Sequence, residues 1–290
     1  ANKQILDVIN EFKPDVISCT HVYTAYKISE LKKEGKLKKV LTFFIVSDYE
    51  IIPYMEFTTH IDYILTPTKD VHNKLYEMGF KEEQLLPIGI TVSTKFSTHL
   101  DTKENTRKSL GLNENLPTFL LMNGGIGFGN TLKLLKEINK IDNKNFQLII
   151  VNGKNEKMKK KIDTFLLKNP NLKCLNLGYS QNVDILMDAS DLLIGKIGGV
   201  AVAEAFNKEL PILVAGNAPF QEWSNVVYLG EKQAILYAND EKETKTHLEA
   251  LISNPLKLEQ LKKNVKGISM PNATIDFTNF IYSLLEKEGN

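Results

Sequence analysis

Length, composition and charge exclude several classes of protein. The chain has 290 residues, enough for two α/β domains, and its 42% hydrophobic and 24% charged residues are ordinary for a globular protein. The formal net charge is +1 and Arg107 is the only arginine; because arginine is the preferred side chain for reading bases and phosphates, we expect no nucleic-acid partner. No apolar run reaches the ~20 residues of a membrane span, and we expect no secretory signal.

The two cysteines, Cys19 and Cys174, lie in apolar, strand-like runs. We predict buried structural thiols rather than a disulfide or a metal pair, since no metal-ligand spacing accompanies them. Such thiols fit a reducing cytoplasm.

The first 90 residues predict a parallel α/β sheet. Apolar runs typical of buried strands alternate with amphipathic helical patterns, which implies parallel strands joined by right-handed crossovers. The predicted strands are 15–20, 40–46, 61–65 and 84–89, and the predicted helices are 4–12, 23–33 and 69–78. His21 ends the first strand and Asp48 follows the second. We therefore expect both at the carboxyl edge of the sheet, where open α/β sheets bind ligands.

Residues 91–116 are polar and mostly non-periodic, and they predict a connection between two domains. A second set of strands follows, at 118–122, 146–151 and 172–177. All three strands lead into glycine-containing turns before helices, and the turns after the first and the third carry candidate residues. The candidate residues there are Gly125, Gly127, Gly178 and Tyr179. Such glycines let a backbone approach a phosphate or a sugar, but plain β–α turns and a packing tyrosine explain them equally well.

The stretch 191–225 carries the most specific pattern. A short apolar strand leads into Lys196 and the pair Gly198–Gly199, which opens a helix. Paired glycines at a helix N-terminus allow close approach of a ligand, and the free amides and dipole of the first turn favour a phosphate. Glu204, about one and a half turns into the helix, is placed to accept hydrogen bonds from sugar hydroxyls. Taken alone, the glycine pair is also explained as a tight turn.

The chain after this helix returns to the same edge of the sheet. A second apolar run, 211–215, is followed by polar positions within 219–225. Beyond them the pattern predicts a strand at 226–229 and helices at 241–252 and 256–264. A final amphipathic helix is predicted from Ile275, Phe277, Phe280, Ile281, Leu284 and Leu285.

The spacing of these residues resembles a known donor-site signature. It reads Lys196-x-Gly198-Gly199-x-Ala201-x-x-Glu204, followed by Pro219-Phe220-Gln221-Glu222-x-x-Asn225. It is similar to that of monogalactosyldiacylglycerol synthases and bacterial processive diacylglycerol glucosyltransferases, which are GT-B enzymes that use UDP-sugars. The resemblance implies that the glycine pair and the Gln221 loop hold the diphosphate and that Glu204 holds the ribose. Ala201 and Phe220 depart from the usual threonine and glycine.

The first half of the chain resembles the same family in its Pro14-Asp15, Thr20-His21 and Ser47-Asp48-Tyr49 segments. The resemblance implies an α/β protein of GT-B type, with two Rossmann-like doubly wound domains facing a cleft. It divides the chain into an N-terminal acceptor-side domain (1–92), a linker (93–116), a donor-binding domain (117–270) and a C-terminal helix that returns to the first domain (271–290).

The N-terminal domain is expected to be incomplete, because family members begin with a strand and a Gly-Gly-Gly-His loop that find no match here. That histidine is the family's usual candidate base, which leaves Asp48 and His21 as catalytic candidates. We expect a gap or an unpaired edge beside the strand 40–46, filled by further chain, by a second copy in a homo-oligomer, or by rearrangement. We also expect this half to be less stable than residues 117–265.

The function implied by the resemblance is transfer of a hexose from UDP-glucose or UDP-galactose to a membrane lipid such as 1,2-diacylglycerol. No cofactor or metal is implied, since helix N-termini and amides stabilise the leaving UDP. The protein would act on the cytoplasmic, inner face of the cell membrane. The lysines of 32–39 either attract anionic headgroups there or form a solvated helix end. Two alternatives remain open: a UDP-sugar-binding module without catalysis, and a peptidoglycan-type N-acetylglucosaminyltransferase.

Overall fold

The computed structural model of the protein describes residues 2–122, 131–216, 218 and 220–288, without the side chains of residues 220, 221, 287 and 288. The chain forms two units. The first comprises the residues up to Val92 together with those from Asn272 onward, and the second is Ser93–Pro271.

The first unit contains a four-stranded parallel sheet. Its strands lie side by side in chain order: β1 (Val16–Cys19), β2 (Leu41–Ile45), β3 (Tyr63–Leu65) and β4 (Leu85–Leu86). Its α-helices are α1 (Asn2–Phe12), α2 (Val22–Lys33), α3 (Lys69–Glu77) and the C-terminal α12 (Ala273–Glu288). A short 3-10 helix, Met55–Thr58, follows β2.

Strand β2 lies inside this sheet. Phe44 pairs with Cys19 of β1 on one side and with Ile64 of β3 on the other. The gap expected beside residues 40–46 was therefore a wrong prediction, because the crossover through α2 places β1 directly next to β2. Among the described strands of this sheet, β1 and β4 are the ones with a single neighbour.

Successive side chains of β2 point to opposite faces of the sheet, and each face has its own core. Phe44 packs with residues of α2 and α3, whereas Phe43 meets α12, where its ring centroid lies 5.1 Å from that of Phe277. Thr274 fixes the start of α12. Its hydroxyl donates to the carbonyl of Val92 at 2.6 Å and accepts from the amide of Val92 at 3.1 Å. The C-terminal helix thus forms part of the first unit's core.

The second unit contains a six-stranded parallel sheet in the order β10-β9-β8-β5-β6-β7. Its strands are β5 (Thr118–Met122), β6 (Gln147–Val151), β7 (Cys174–Leu177), β8 (Leu192–Gly195), β9 (Ile212–Ala215) and β10 (Ile235–Ala238). Its helices are α4 (Lys103–Ser109), α5 (Thr131–Ile138), α6 (Glu156–Leu167), α7 (Val183–Asp188), α8 (Gly199–Asn207), α9 (Phe220–Glu231), α10 (Glu241–Ser253) and α11 (Pro255–Lys266). The chain runs outward from β5 to β7 and then restarts on the other side of β5 with β8. Ligands of open α/β sheets bind at such a switch point, outside the carboxyl ends of the strands.

Residues 226–229, predicted as a strand, lie within α9. Val226 and Leu229 are buried one helical turn apart, whereas Val227 is 46% exposed. The spacing is that of a helix, but an apolar run of four residues does not distinguish a helix from a strand. The strand that the pattern missed is β10, which pairs with β9.

Residues 93–116, expected to form a linker, belong to the second unit. Arg107 on α4 is buried, and its guanidinium donates to the carbonyls of Ala189 at 2.9 Å and Glu114 at 3.1 Å and to the carboxylate of Asp191. Asp191 lies just before β8. The chain's single arginine therefore holds α4 against the sheet and has a structural role.

Both cysteines are free thiols. Cys19 is buried, as predicted, and burial raises the pKa of its thiol to about 11. Cys174 is half-buried rather than buried, and its burial raises its thiol pKa to about 12. Neither thiol is activated as a nucleophile, because the reactive form is the thiolate.

Candidate functional site

The turn between β8 and α8 lies at the switch point of the second sheet. β8 ends at Gly195, and α8 begins at Gly199 with Gly198 as its N-cap residue. Gly198, as the N-cap residue, has no side chain to cap this end of α8, and the positive end of the helix dipole favours an anion there. Lys196 lies exposed in the same turn. The turn therefore has the groups that bind a phosphate.

Helix α9 contributes two predicted residues to this turn. The side-chain amide of Asn225, which is fully buried, donates to the carbonyl of Ile197 at 3.2 Å. Glu222 lies one turn earlier on α9, and its Oε1 is 3.5 Å from the place where a Cβ on Gly198 would stand. Its Oε2 is buried without a hydrogen-bond partner among the described residues. A buried carboxylate oxygen of this kind needs a donor, and a sugar hydroxyl would supply one.

Glu204 lies on α8 and is half-buried. Burial raises the pKa of its carboxyl group, and the ammonium group of Lys95 acts in the opposite direction. Ala201, one turn before it, is also half-buried. Glu222 and Asn225 thus lie beside the glycine pair at the start of α8, and Glu204 lies about one and a half turns farther along the same helix; their contact with a nucleotide stays a prediction.

Gly178 and Tyr179 lie farther away. They follow β7, and β5 and β6 separate β7 from β8 in the sheet. Three strand spacings amount to about 14 Å. Tyr179 is 62% exposed, and a Cβ on Gly178 would meet the carboxylate of Glu156 at 3.2 Å. Their contact with a nucleotide stays a prediction.

Four predicted positions cannot be placed in full. Gly125 and Gly127 lie outside the described residues, although β5, which leads to them, is the direct neighbour of β8. The side chains of Phe220 and Gln221 also lie outside the described part of the chain.

The two catalytic candidates lie at the carboxyl edge of the first sheet, after the adjacent strands β1 and β2. His21 is exposed and caps α2: its Nδ1 accepts a hydrogen bond from the amide of Tyr23 at 3.2 Å. In the neutral ring the proton is then on Nε2, so neither nitrogen is free to accept another hydrogen bond. Asp48 is half-buried. Their role as catalytic bases stays a prediction.

The described residues contain no group of three or more His, Cys, Asp or Glu side chains placed to hold a metal ion. None of the described helices is long and apolar enough to cross a membrane.

Sequence reasoning missed Lys95. It lies in a polar segment without periodicity, and its ammonium group ends 3.2 Å from Oδ1 of Asp184 on α7, on the Glu204 side of α8. No local pattern marks it, because its neighbours come from residues about 90 and 110 positions later in the chain.

Comparison with known families accounts for most of the chain. The model described as "Glycosyltransferase family 28 C-terminal domain" matches residues 120–277, which is more than half of the chain. The chain belongs to glycosyltransferase family 28. A second model, "Monogalactosyldiacylglycerol (MGDG) synthase", matches residues 1–92.

Curated relatives of this family 28 chain fall into the two groups that the signature indicated. Monogalactosyldiacylglycerol synthase 3, chloroplastic, of Arabidopsis thaliana is 28% identical over 294 residues, which cover 99% of this chain and 63% of the relative. A processive diacylglycerol beta-glucosyltransferase of Bacillus licheniformis is 26% identical over 274 residues, covering 94% and 70%. The resemblance is confirmed. The chain spans less than two thirds of the length of the plant relatives.

Solved structures confirm the GT-B fold class. MurG of Acinetobacter baumannii superposes with a TM-score of 0.72 at 13% identity, over 98% of this chain and 77% of that one. A UDP-GlcNAc 2-epimerase from Neisseria meningitidis, bound to UDP-GlcNAc, gives 0.68 at 17% identity, over 97% and 80%. At these identities the likeness concerns the fold alone.

Proposed function

We propose that this chain is a UDP-sugar-dependent hexosyltransferase that transfers a hexose to a membrane lipid such as 1,2-diacylglycerol. The observation that carries the proposal is the arrangement around Gly198. An uncapped helix N-terminus, a buried Asn225 and a buried Glu222 oxygen without a described partner meet at one turn of a family 28 domain. The names of the relatives supply the substrate class.

The donor is proposed to bind the second unit through three contacts. Its diphosphate lies against the amides at the start of α8, its ribose hydroxyls donate to Glu204, and hydroxyls of its hexose donate to Glu222. When the acceptor hydroxyl attacks C1 of the hexose, the bond from C1 to the phosphate oxygen breaks and UDP leaves. The dipole of α8 and Lys196 stabilise the charge that develops on UDP, so the mechanism needs no cofactor.

The proton of the acceptor hydroxyl needs a base, and we assign Asp48 to this role. The alternative candidate, His21, already uses Nδ1 to cap α2. A carboxylate accepts a proton on either oxygen without a change of tautomer.

The choice between UDP-glucose and UDP-galactose depends on one hydroxyl, since the two sugars differ only in the orientation of the C4 hydroxyl. The relatives are divided, because the plant protein is named a galactolipid synthase and the bacterial protein a glucosyltransferase. Glu222 has a buried carboxylate oxygen beside the turn, without a described partner, that is able to accept from a hexose hydroxyl. We propose that it contributes to this choice.

The acceptor is proposed to reach the first unit from the inner face of the cell membrane. Tyr23, Tyr54 and Phe57, here called the aromatic patch, are 55%, 63% and 49% exposed. Tyr54 and Phe57 stack with ring centroids 6.3 Å apart. Residues 22–39, which include Tyr23 of the patch, contain six lysines and two glutamates. Aromatic rings and lysines together are typical of surfaces that bind anionic bilayers.

The test is a transfer assay with UDP-glucose and UDP-galactose on 1,2-diacylglycerol vesicles, with Glu222→Gln as the variant. We expect hexose transfer by the protein and a loss of kcat/KM of about ten- to a hundredfold in Glu222→Gln, because a charged acceptor to the sugar is worth roughly 1.5–3 kcal/mol. UDP affinity should change less than threefold, since Glu222 does not contact the nucleotide. Glu231→Gln, an exposed glutamate at the end of the same helix, is the matched control.

Two outcomes would contradict the proposal. Binding of UDP without transfer to any lipid would indicate a sugar-nucleotide-binding module. Consumption of UDP-N-acetylglucosamine in preference to both hexose donors would indicate a peptidoglycan-type enzyme.

A further inference from the structure

The segment Ser93–His99 lies along α8. The side-chain amide of Asn207 donates to Oγ of Ser97 at 3.3 Å, and the ammonium of Lys208 donates to the carbonyl of Thr98. Asp188 near the end of α7 lies 2.7 Å from both His99, at the end of the segment, and Lys208, just after α8, whereas Lys95 lies 3.2 Å from Asp184, one turn earlier on α7. Helices α7 and α8 both cross back over the same parallel sheet and so run in one direction, which the segment follows from Lys95 to His99. This fixes the register between the segment and the helix.

The register places Lys95 beside Glu204. Glu204 precedes Asn207 by three residues, so the two lie on one face of α8 about 4.5 Å apart along its axis. Lys95 precedes Ser97 by two residues of a 3-10 helix, which rises about 4 Å over that distance. From the Ser97–Asn207 contact, the step back to Lys95 along the segment and the step back to Glu204 along α8 have about the same length. Lys95 therefore lies level with Glu204.

Lys95 is itself held in position. Its ammonium group donates to the carbonyl of Gln181 at 2.8 Å and lies 3.2 Å from Oδ1 of Asp184, which is nearly buried at the start of α7. Its Nζ also lies 5.2 Å from the centroid of the Phe96 ring. These contacts come from α7 and from the segment, so the position of the ammonium group does not depend on Glu204.

Glu204 is the group on which Lys95 acts. Its carboxylate has no hydrogen bond or ion pair to another described residue, and burial raises its pKa while Lys95 lowers it. Other charged side chains on the elements around α8 are Asp184 and Asp188 on α7, Lys196 in the turn, Lys208 and Glu209 after α8, Glu222 on α9 and Lys266 on α11. Of all these charges, Lys95 is the one that shifts the pKa of Glu204.

We propose that Lys95 is a positioning residue of the nucleotide site, which keeps the neighbouring Glu204 carboxylate in the ionised form that accepts hydrogen bonds from both ribose hydroxyls. This inference rests on the proposed function, in which Glu204 binds the ribose. It makes the segment 93–99 part of the donor site rather than a connection between domains.

The opposite effects of burial and of Lys95 on the pKa of Glu204 predict how UDP binding depends on pH. Without Lys95, burial acts alone on Glu204, the pKa of its carboxyl group rises further, and the carboxylate takes up a proton at a higher pH. A protonated carboxyl group accepts fewer hydrogen bonds than the ionised form. UDP binding by a variant without Lys95 should therefore weaken earlier as the pH falls, and should approach that of the unchanged protein at high pH.

The experiment is calorimetry with UDP between pH 5.5 and 8.5. For Lys95→Met we expect a loss of affinity of roughly three- to tenfold at pH 5.5 and less than twofold at pH 8.5, since a one-unit pKa shift changes affinity at most tenfold and a partly exposed charge is screened. Lys95→Arg should restore the profile. In Glu204→Gln the loss should not depend on pH, and adding Lys95→Met should cause no further loss. Lys133→Met, which removes an exposed ion pair with Glu241 in the same unit, is the matched control.

A loss in Lys95→Met that is equal at every pH, or that adds to the loss in Glu204→Gln, would overturn the inference and leave the segment a purely structural role. A carbon NMR titration of the Glu204 carboxyl group in the free protein tests the same point without ligand: an unchanged pKa in both Lys95→Met and Lys95→Gln contradicts it. Absence of UDP binding by the unchanged protein would instead refute the proposed function, so the two failures are distinguishable.

Discussion

Gly198 has a backbone conformation, φ −62° and ψ 135°, that any L-residue adopts. A methyl group at this position would stand 3.5 Å from Oε1 of Glu222, which is an ordinary van der Waals distance. Neither the backbone nor the described packing therefore requires glycine here. The proposed function supplies a reason for glycine, because a methyl group would stand where the diphosphate is proposed to approach the first turn of α8.

Replacing Gly198 by alanine should accordingly separate binding from stability. We expect Gly198→Ala to lower UDP affinity at least tenfold, and to change the free energy of unfolding by no more than about 1 kcal/mol, the cost of a poorer N-cap residue. Calorimetry with UDP and thermal unfolding measure the two effects. Gly230→Ala, on an exposed position of α9 with free space around it, should raise stability slightly and leave UDP affinity unchanged. Equal UDP affinity in Gly198→Ala and Gly230→Ala would contradict the proposal that the turn before α8 binds the diphosphate.

At the residue scale, the proximity of the signature residues in the second unit was largely predictable from the sequence. Gly198, Glu204 and Asn225 lie within two helices and the turns before them, and the spacing along those helices decides which side chains meet at α8. Lys95 was not predictable, since its position depends on contacts with residues far along the chain, and such contacts leave no periodic pattern in the sequence. The role of His21 was also beyond the sequence, because a cap is defined by a hydrogen bond to the amide of Tyr23.

At the element scale, the aromatic patch is formed by Tyr23 on α2, by Phe57 on the 3-10 helix Met55–Thr58, and by Tyr54, which precedes that helix. Tyr54 adopts a left-handed backbone conformation, φ 73°, which a non-glycine residue adopts at a cost of order 1 kcal/mol or more. The ring of Tyr26 on α2 lies 5.5 Å from that of Phe57, and Lys27 lies 4.3 Å from the Tyr26 ring centroid. Contacts between α2 and the 3-10 helix thus hold the aromatic patch in place, while the rings of Tyr23, Tyr54 and Phe57 stay exposed.

The patch should control binding to membranes. We expect Tyr54→Ser with Phe57→Ser to weaken sedimentation with vesicles of anionic phospholipid roughly tenfold, which corresponds to 1.4 kcal/mol, because both rings lose their place at the interface. Binding of UDP should not change. Tyr76→Ser on α3, where the tyrosine is 56% exposed, is the control and should bind vesicles like the unchanged protein. If the control and the double variant bind equally, the membrane contacts another surface.

The errors at the element scale have a common physical origin. In α9, four consecutive apolar residues indicated a strand, and the burial of Val226 and Leu229 on one face is decided by packing that the sequence does not show. In the first sheet, the residues that form the strands were predicted correctly, but the pairing of β2 with β1 was not. The residues of β2 specify a buried strand, and the crossover through α2 specifies which strand lies next to it.

At the scale of the whole molecule, the first unit is closed by the end of the chain. Its sheet has four strands of two to five residues, and α12 covers the face that contains Phe43 and Leu65. The second unit has six strands and is continuous in sequence. Closing the long loop between Val92 and Asn272 costs the first unit conformational entropy that the continuous second unit does not lose. This cost and the smaller sheet support the prediction that the first unit is the less stable of the two.

Phe277→Ala should therefore destabilise the first unit selectively. Phe277 is 8% exposed and packs edge-on against Phe43, and removal of a buried phenyl ring costs about 3–5 kcal/mol. Hydrogen exchange, read amide by amide, measures each unit by itself. We expect faster exchange in β2 and β3 of the variant, unchanged exchange in β5 and β8, and lower protection of the first unit already in the unchanged protein. Tyr282→Ala, on an exposed position of the same helix, should change protection by no more than about 0.5 kcal/mol. Equal protection of both units, or equal losses in both from Phe277→Ala, would show that the two unfold as one, and that α12 does not stabilise the first unit in particular.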